Sequence, residues 1–162
     1  MSIWLDCDPG IDDAFAIIMS ALHPDFKLIG LSTTAGNVGI EKTTQNALDI
    51  LYTIHREDIP VYRGSPTTST DKKPVDAEYF HGGNGLGGAR FTRSPFKAIT
   101  ENSFEKICEK ILSWPEKVTF VVTGPQTNLC LLLRNFPKIK ENLEKIVLMG
   151  GAVGEGNITP AA

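Results

Sequence analysis

The run Ile3-Trp4-Leu5-Asp6-Cys7-Asp8-Pro9-Gly10-Ile11-Asp12-Asp13-Ala14 decides the fold class. Its apolar start, through Cys7, reads as a short buried strand that delivers acidic residues at its C-terminal end. Pro9-Gly10 turns the chain sharply. From Asp12 to His23, Ala14, Ile17, Ile18 and Ala21 then recur at helical spacing, until Pro24 and Asp25 end the helix. A strand that hands over to a helix through a tight turn is the opening unit of a parallel α/β sheet.

The same alternation continues along the chain. A second strand runs from Leu28 to Thr34 and ends in Ala35-Gly36-Asn37. Ile40 to His55 places Ala47, Leu48, Leu51 and Ile54 on one face of a second helix. Ile59 to Tyr62 is a brief third strand. Periodicity then disappears until about residue 98. Pro66, Pro74 and Pro95 interrupt this stretch, and Gly82-Gly83-Asn84-Gly85-Leu86-Gly87-Gly88 lies inside it. A connection this long is expected to be a lid or binding loop. Helix returns at Phe104–Trp114 and Thr127–Phe136, strand at Val118–Thr123 and Lys145–Met149. The reading is a single α/β domain over 1–162: an open, mostly parallel sheet with helices on both faces, carrying a lid-like loop at about 63–98. Phe104, Ile107 and Trp114 are assigned to the core, as are Cys108 and Cys130.

Composition narrows the functional classes. The 162 residues are 41% hydrophobic and 22% charged, close to an ordinary folded protein. A net charge of -3 gives no electrostatic support for a nucleic-acid partner. Cys7, Cys108 and Cys130 have neither zinc-finger nor redox spacing, which points to reduced thiols in the cytoplasm. The N-terminal apolar run is too short for a signal peptide, and no stretch is long enough to cross a bilayer. The glycines Gly83, Gly85 and Gly88 match a dinucleotide fingerprint in spacing, but no strand precedes them, so flexibility of a closing lid is the expected reason for them.

Chemistry concentrates at the strand ends, where ligands gather in open α/β sheets. Asp6, Asp8, Asp12 and Asp13 put four carboxylates into eight residues. Packed together they would repel one another unless a cation intervened, and oxygen donors suit calcium or magnesium better than zinc. A simpler reading is open for two of them: Asp12 as a helix N-cap and Asp13 as a first-turn acid favoured by the helix dipole. That reading leaves Asp6 and Asp8 unexplained.

The segment Asp6 to Ala14 resembles the Asp-x-Asp-Pro-Gly-x-Asp-Asp-Ala signature of the inosine/uridine-preferring nucleoside hydrolases. Thr34-Ala35-Gly36-Asn37-Val38, His81-Gly82 with Gly85-Leu86-Gly87, Thr123-Gly124-Pro125 with Thr127-Asn128, Met149-Gly150-Gly151 and Gly154-Glu155-Gly156-Asn157 follow in order. The resemblance implies a Rossmann-like nucleoside hydrolase fold and hydrolysis of a ribonucleoside, such as inosine or uridine, to base and ribose in nucleoside salvage. It implies calcium as cofactor, with Asp8, Asp13 and the Thr123 carbonyl as ligands, and Asp8 as general base on the metal-bound water. Asp12 would bond a ribose hydroxyl, Asn37 the water and ribose side, Met149 the ribose pocket, and Asn157 the 5′ end of the sugar. Asp6 would orient its neighbours. His81 would belong to a loop over the base, although a lone loop histidine is also often simply solvent-exposed. The family is commonly oligomeric, so a homo-oligomer is expected of the full-length form.

The family pattern continues beyond the position of Ala162 with further ribose, calcium and leaving-group residues. The chain therefore reads as the N-terminal part of the fold, truncated, with weak calcium binding, little turnover and an exposed apolar flank expected of it in isolation. Two alternatives compete. One is a magnesium-dependent phosphatase of the haloacid-dehalogenase type, with Asp6 as nucleophile. The other is a non-catalytic truncated product.

Overall fold

The computed structural model describes residues 1–67 and 77–156. Five strands, β1 (Ser2–Cys7), β2 (Lys27–Thr33), β3 (Val61–Arg63), β4 (Val118–Val122) and β5 (Leu143–Leu148), form one parallel sheet in the order β3-β2-β1-β4-β5. The helices are α1 (Ile11–Leu22), α2 (Ile40–Thr53), α3 (Glu78–His81), α4 (Ser103–Leu112) and α5 (Thr127–Asn135). The expected α/β class holds, and every pairing is parallel. Chain order runs outward from β1 through β2 to β3, then returns to the other side of β1 with β4 and β5. The order reverses between β1 and β4, so a crevice opens at their C-terminal ends.

Alternation along β1 builds both faces at once. Ile3, Leu5 and Cys7 point to a core shared with Ala14, Ile17 and Ala21 of α1 and Ala47, Ile50 and Leu51 of α2. Trp4 points the other way, to Phe120, Ile107, Ile111, Leu129 and Leu132 beneath α4 and α5. Gly30 lies across from Trp4. A methyl group there would sit 2.7 Å from the indole, so the absent side chain makes room for the largest residue of the core.

Several expected details change. Residues 137–142 form a 3₁₀ turn, Pro137–Asn142, between α5 and β5. The long connection contains α3, a single helical turn, and Ile99 pairs with β3 through Ile99 N–H to Val61 O (2.8 Å) and Arg63 N–H to Ile99 O (2.9 Å). The glycine-rich run is a defined turn. Gly82, Gly85, Gly87 and Gly88 all have positive φ, and Asn84 Oδ1 accepts the N–H groups of Leu86 and Gly88. Backbone handedness accounts for these four glycines. Cys130 is exposed on α5 and is not a core residue, whereas Cys108 is buried.

Two apolar surfaces are uncovered among the described residues. Ile146, Val147, Leu148 and Met149 at β5 are each more than a third exposed, and so are Ile11, Phe15, Met19 and Leu22 along α1. No helix of the described residues is long and apolar enough to cross a membrane.

Burial sets a contrast that urea denaturation measures. Phe120 is 0% and Phe15 65% exposed. Phe120→Ala is expected to cost about 3–5 kcal/mol of stability, and Phe15→Ala less than about 0.5 kcal/mol. Equal losses would contradict this assignment of the core.

Candidate functional site

The crevice between β1 and β4 is floored by carboxylates. Asp8 leaves the end of β1 buried, and the Pro9-Gly10 turn brings Asp13, in the first turn of α1, back beside it. Gly10, not Asp12, is the N-cap of α1. Asp13 does act as a first-turn acid: its Oδ2 accepts the Gly10 N–H at 3.0 Å. It also reaches across the sheet, where its Oδ1 accepts the Thr123 hydroxyl at 2.6 Å. The simple helix-start reading is therefore part of the truth for Asp13 and fails for Asp12, whose side chain is 61% exposed.

Asn37, just past β2, holds the two acids in register. Its backbone N–H donates to Asp8 Oδ2 (2.7 Å), and its Nδ2 donates to Asp8 O (3.0 Å) and Asp13 Oδ2 (3.2 Å). Small neighbours make this approach possible. A methyl group at Gly36 would overlap Asp8 Oδ2, and one at Gly124 would stand 2.6 Å from Asp8 Oδ1. Oδ1 itself accepts no hydrogen bond from the described residues.

Electrostatics follow from that crowding. Burial, and then the charge of Asp13, pushes the Asp8 carboxyl up to about 8. Burial likewise raises Asp13, opposed by its bonds from Thr123 and Gly10. Asp6, fully buried, rises to about 7 for the same primary reason. Burial also pushes the Cys7 thiol well above its ordinary range, in keeping with an inert core residue.

A cleft of about 650 Å³ stands over this floor. Asp8, Asp12, Asn37, His81, Thr123 and Met149 line it, so six of the residues singled out in the sequence meet around one space. Asp13 lies just beneath. Asn157 lies outside the described residues. His81 is buried, not solvent-exposed: its Nδ1 accepts the Ile11 N–H at 3.1 Å, and its Nε2 stands 4.0 Å from Asp12 Oδ1. Tyr79, Phe80 and Gln126 also line the cleft and were not singled out in the sequence. An aromatic pair beside a histidine, in an otherwise polar connection, was the available signal.

The donor set suits a hard cation. Asp8 and Asp13 are paired acids held at raised pKa values, and the side chains bonded to them are the Asn37 carboxamide and the Thr123 hydroxyl. Among the described residues no three His, Cys, Asp or Glu side chains cluster to cage an ion, so backbone oxygen such as the Thr123 carbonyl would have to complete the set. The phosphatase alternative fails on access. Asp6, its required nucleophile, is 0% exposed, and its Oδ1 is occupied by bonds from Ser32 and Asn128.

The chain resembles known proteins along nearly its whole length. Residues 3–162 match the inosine-uridine preferring nucleoside hydrolase family. The chain is 43% identical over 160 residues to the pyrimidine-specific ribonucleoside hydrolase RihA of Shewanella sp. (strain MR-7), covering 99% of this chain and 50% of that protein. It is 41% identical to the non-specific ribonucleoside hydrolase RihC of Salmonella paratyphi A, over 100% of this chain and 53% of that one. The structure superposes on a purine-preferring ribonucleoside hydrolase from Gardnerella vaginalis with a TM-score of 0.87 and 35% identity, covering 94% of this chain and 49% of the other. A plant nucleoside hydrolase gives a TM-score of 0.89 and 36% identity, with 99% and 51% covered. The chain spans about half the length of the curated relatives it matches.

The raised carboxyls set a pH dependence. Folded Asp6 and Asp8 keep protons, to about 7 and about 8, that the unfolded chain loses near 3.8. Their contribution to stability is complete below the unfolded value and is lost as pH rises through the folded ones. In chelator, the melting midpoint is expected to fall between about pH 4 and about pH 8. Scanning fluorimetry reads the fall. A midpoint that climbs over this window would contradict the burial of these acids.

Proposed function

This chain belongs to the inosine-uridine preferring nucleoside hydrolase family, and on that premise we propose that it serves the hydrolysis of the N-glycosidic bond of ribonucleosides to free base and ribose. The observation that carries the proposal is the floor of the cleft, where Asp8 and Asp13 face one another at the switch point of the sheet, held by Asn37 and Thr123. Residues 1–162 are read as one part of a single hydrolase domain, with the connection at about 63–98 as its lid. The three unpaired cysteines support a reducing, cytoplasmic setting.

Asp8 is the proposed general base and Asp12 the proposed ribose ligand. Asn37 donates to Asp8 Oδ2, which leaves Oδ1, on the Gly124 side, to take the proton of the attacking water. Asp12, exposed at the cleft wall, accepts from a ribose hydroxyl. As the bond to the base breaks, positive charge develops on the sugar, and the carboxylates beneath it stabilise that charge. A hard dication such as calcium, held by Asp8, Asp13 and the Thr123 carbonyl, would supply charge that acidifies the water and relieves the repulsion between the paired acids. Met149, 57% exposed at the cleft, gives the sugar an apolar surface. Asn157 is assigned the 5′ end of the sugar on the strength of the motif. His81 joins the lid to the start of α1, close to Asp12. With Nδ1 engaged by the Ile11 N–H, Nε2 is the nitrogen on the side toward Asp12.

The test is ribose release from inosine and uridine, with calcium present and then chelated. Chelation should stop release, and Asp8→Asn should lower turnover by about 10²–10⁴-fold. Turnover that survives Asp8→Asn would overturn the assignment of the base. A nucleoside lacking the 2′-hydroxyl should be rejected by about 10⁴-fold in kcat/KM. Equal use of both sugars would remove Asp12 from the ribose-binding role.

A further inference from the structure

Asn128, which the mechanism above does not use, is buried at 0% exposure in the first turn of α5. Its carboxamide satisfies three separate elements. Nδ2 donates to Asp6 Oδ1 on β1 (2.8 Å) and to Thr33 O at the end of β2 (3.0 Å), while Oδ1 accepts the Ser65 N–H beyond β3 (2.8 Å). A carboxamide is the side chain that offers two donors on one side and an acceptor on the other. Space is kept for it: a methyl group at Gly64 would overlap both of its polar atoms.

Asp6 passes this constraint to the cleft. Its backbone carbonyl accepts the Thr123 N–H at 2.9 Å, and Thr123 in turn donates its hydroxyl to Asp13. Asp6 and Asp8 are two residues apart on one strand end, so fixing the first restricts where the second emerges. Asp6 Oδ1 also takes the Ser32 hydroxyl, itself held by Trp4 Nε1 at 3.0 Å, which ties the clamp into the core.

Resting on the hydrolase reading for its consequence, we propose that Asn128 is a positioning residue. Through Asp6, it locks the ends of β1, β2, β3 and β4 so that Asp8, Asn37 and Thr123 keep the spacing the cleft needs. The residue touches none of the reacting atoms and acts through Asp6.

Amide hydrogen exchange on the full chain tests this. Asn128→Asp removes both donors and sets a second carboxylate against Asp6. Exchange at the Asn37 and Thr123 amides, which bond to Asp8 and to the Asp6 carbonyl, should quicken at least tenfold. Core amides such as Phe120 and Leu132 should hold within twofold. The double variant Asp6→Asn with Asn128→Asp restores a donor–acceptor pair in the reverse sense, and should return Asn37 and Thr123 most of the way to native protection. Unchanged exchange at those two amides, or an equal loss at every core amide, would overturn the proposal. If Asn128→Asp does not fold, the double variant decides: native protection supports the clamp, and its absence overturns it. Nucleoside hydrolysis by the native chain is measured alongside. Its outcome bears on the hydrolase reading alone, and the exchange pattern judges the clamp by itself.

Discussion

The repulsion between acids buried at the end of β1 is the constraint around which the molecule is arranged. A carboxylate withdrawn from water with another beside it is among the costliest groups a fold can hold. Here Asp6, Asp8 and Asp13 all sit below a tenth exposure. The hydrogen bonds onto these acids offset part of that cost: Asn37 on Asp8, Gly10 and Thr123 on Asp13, Ser32 and Asn128 on Asp6. The cost is not fully offset among the described residues. Asp6 Oδ2 is buried without a partner, and the raised pKa of this carboxyl is the physical companion of that deficit.

The arrangement also explains why four positions in and beyond the strands are glycine. Gly36 and Gly124 flank Asp8, Gly64 flanks Asn128, and Gly30 faces Trp4. Three of the four clear space for a polar group of the floor, and the fourth clears space for the indole that supports it. Packing and chemistry thus share the same few positions, and the core beneath α4 and α5 continues directly into the hydrogen-bonded floor through Trp4 and Ser32.

Much of this was legible in the residues. Ala14, Ile17 and Ala21 repeat at the helical period because they face one core, and the apolar runs of β1, β2 and β4 are nearly continuous because the sheet is covered on both sides. The acid motif and its companions along the chain carry six of the residues that line the cleft. What escaped were features with no period to betray them. The single turn of α3 and the 3₁₀ turn at Pro137 are too short to show one. Cys130 was misplaced because a cysteine is apolar enough to pass for core, while the phase of α5 directs Leu129 and Leu132 inward and leaves its neighbour outside. The role of Asn128 depends on partners far away in sequence, and its link to Asp6 spans 122 positions. Local patterning holds no record of such a contact.

The order of the strands has a consequence for how the chain comes into being. Asp13 and the Thr123 hydroxyl that bonds it are 110 residues apart, and β4 can pair with β1 only after β2, α2 and β3 have been synthesised. A nascent chain emerging from the ribosome therefore presents its acids first, with Ser32 and Asn37 soon after, and Thr123 and Asn128 last. Until β4 arrives, the charge at the end of β1 opposes its own burial, and the first helical layer has reason to stay open. Closure of the sheet's centre and assembly of the cleft become one late, long-range event. The site is then a checkpoint of folding as well as its product.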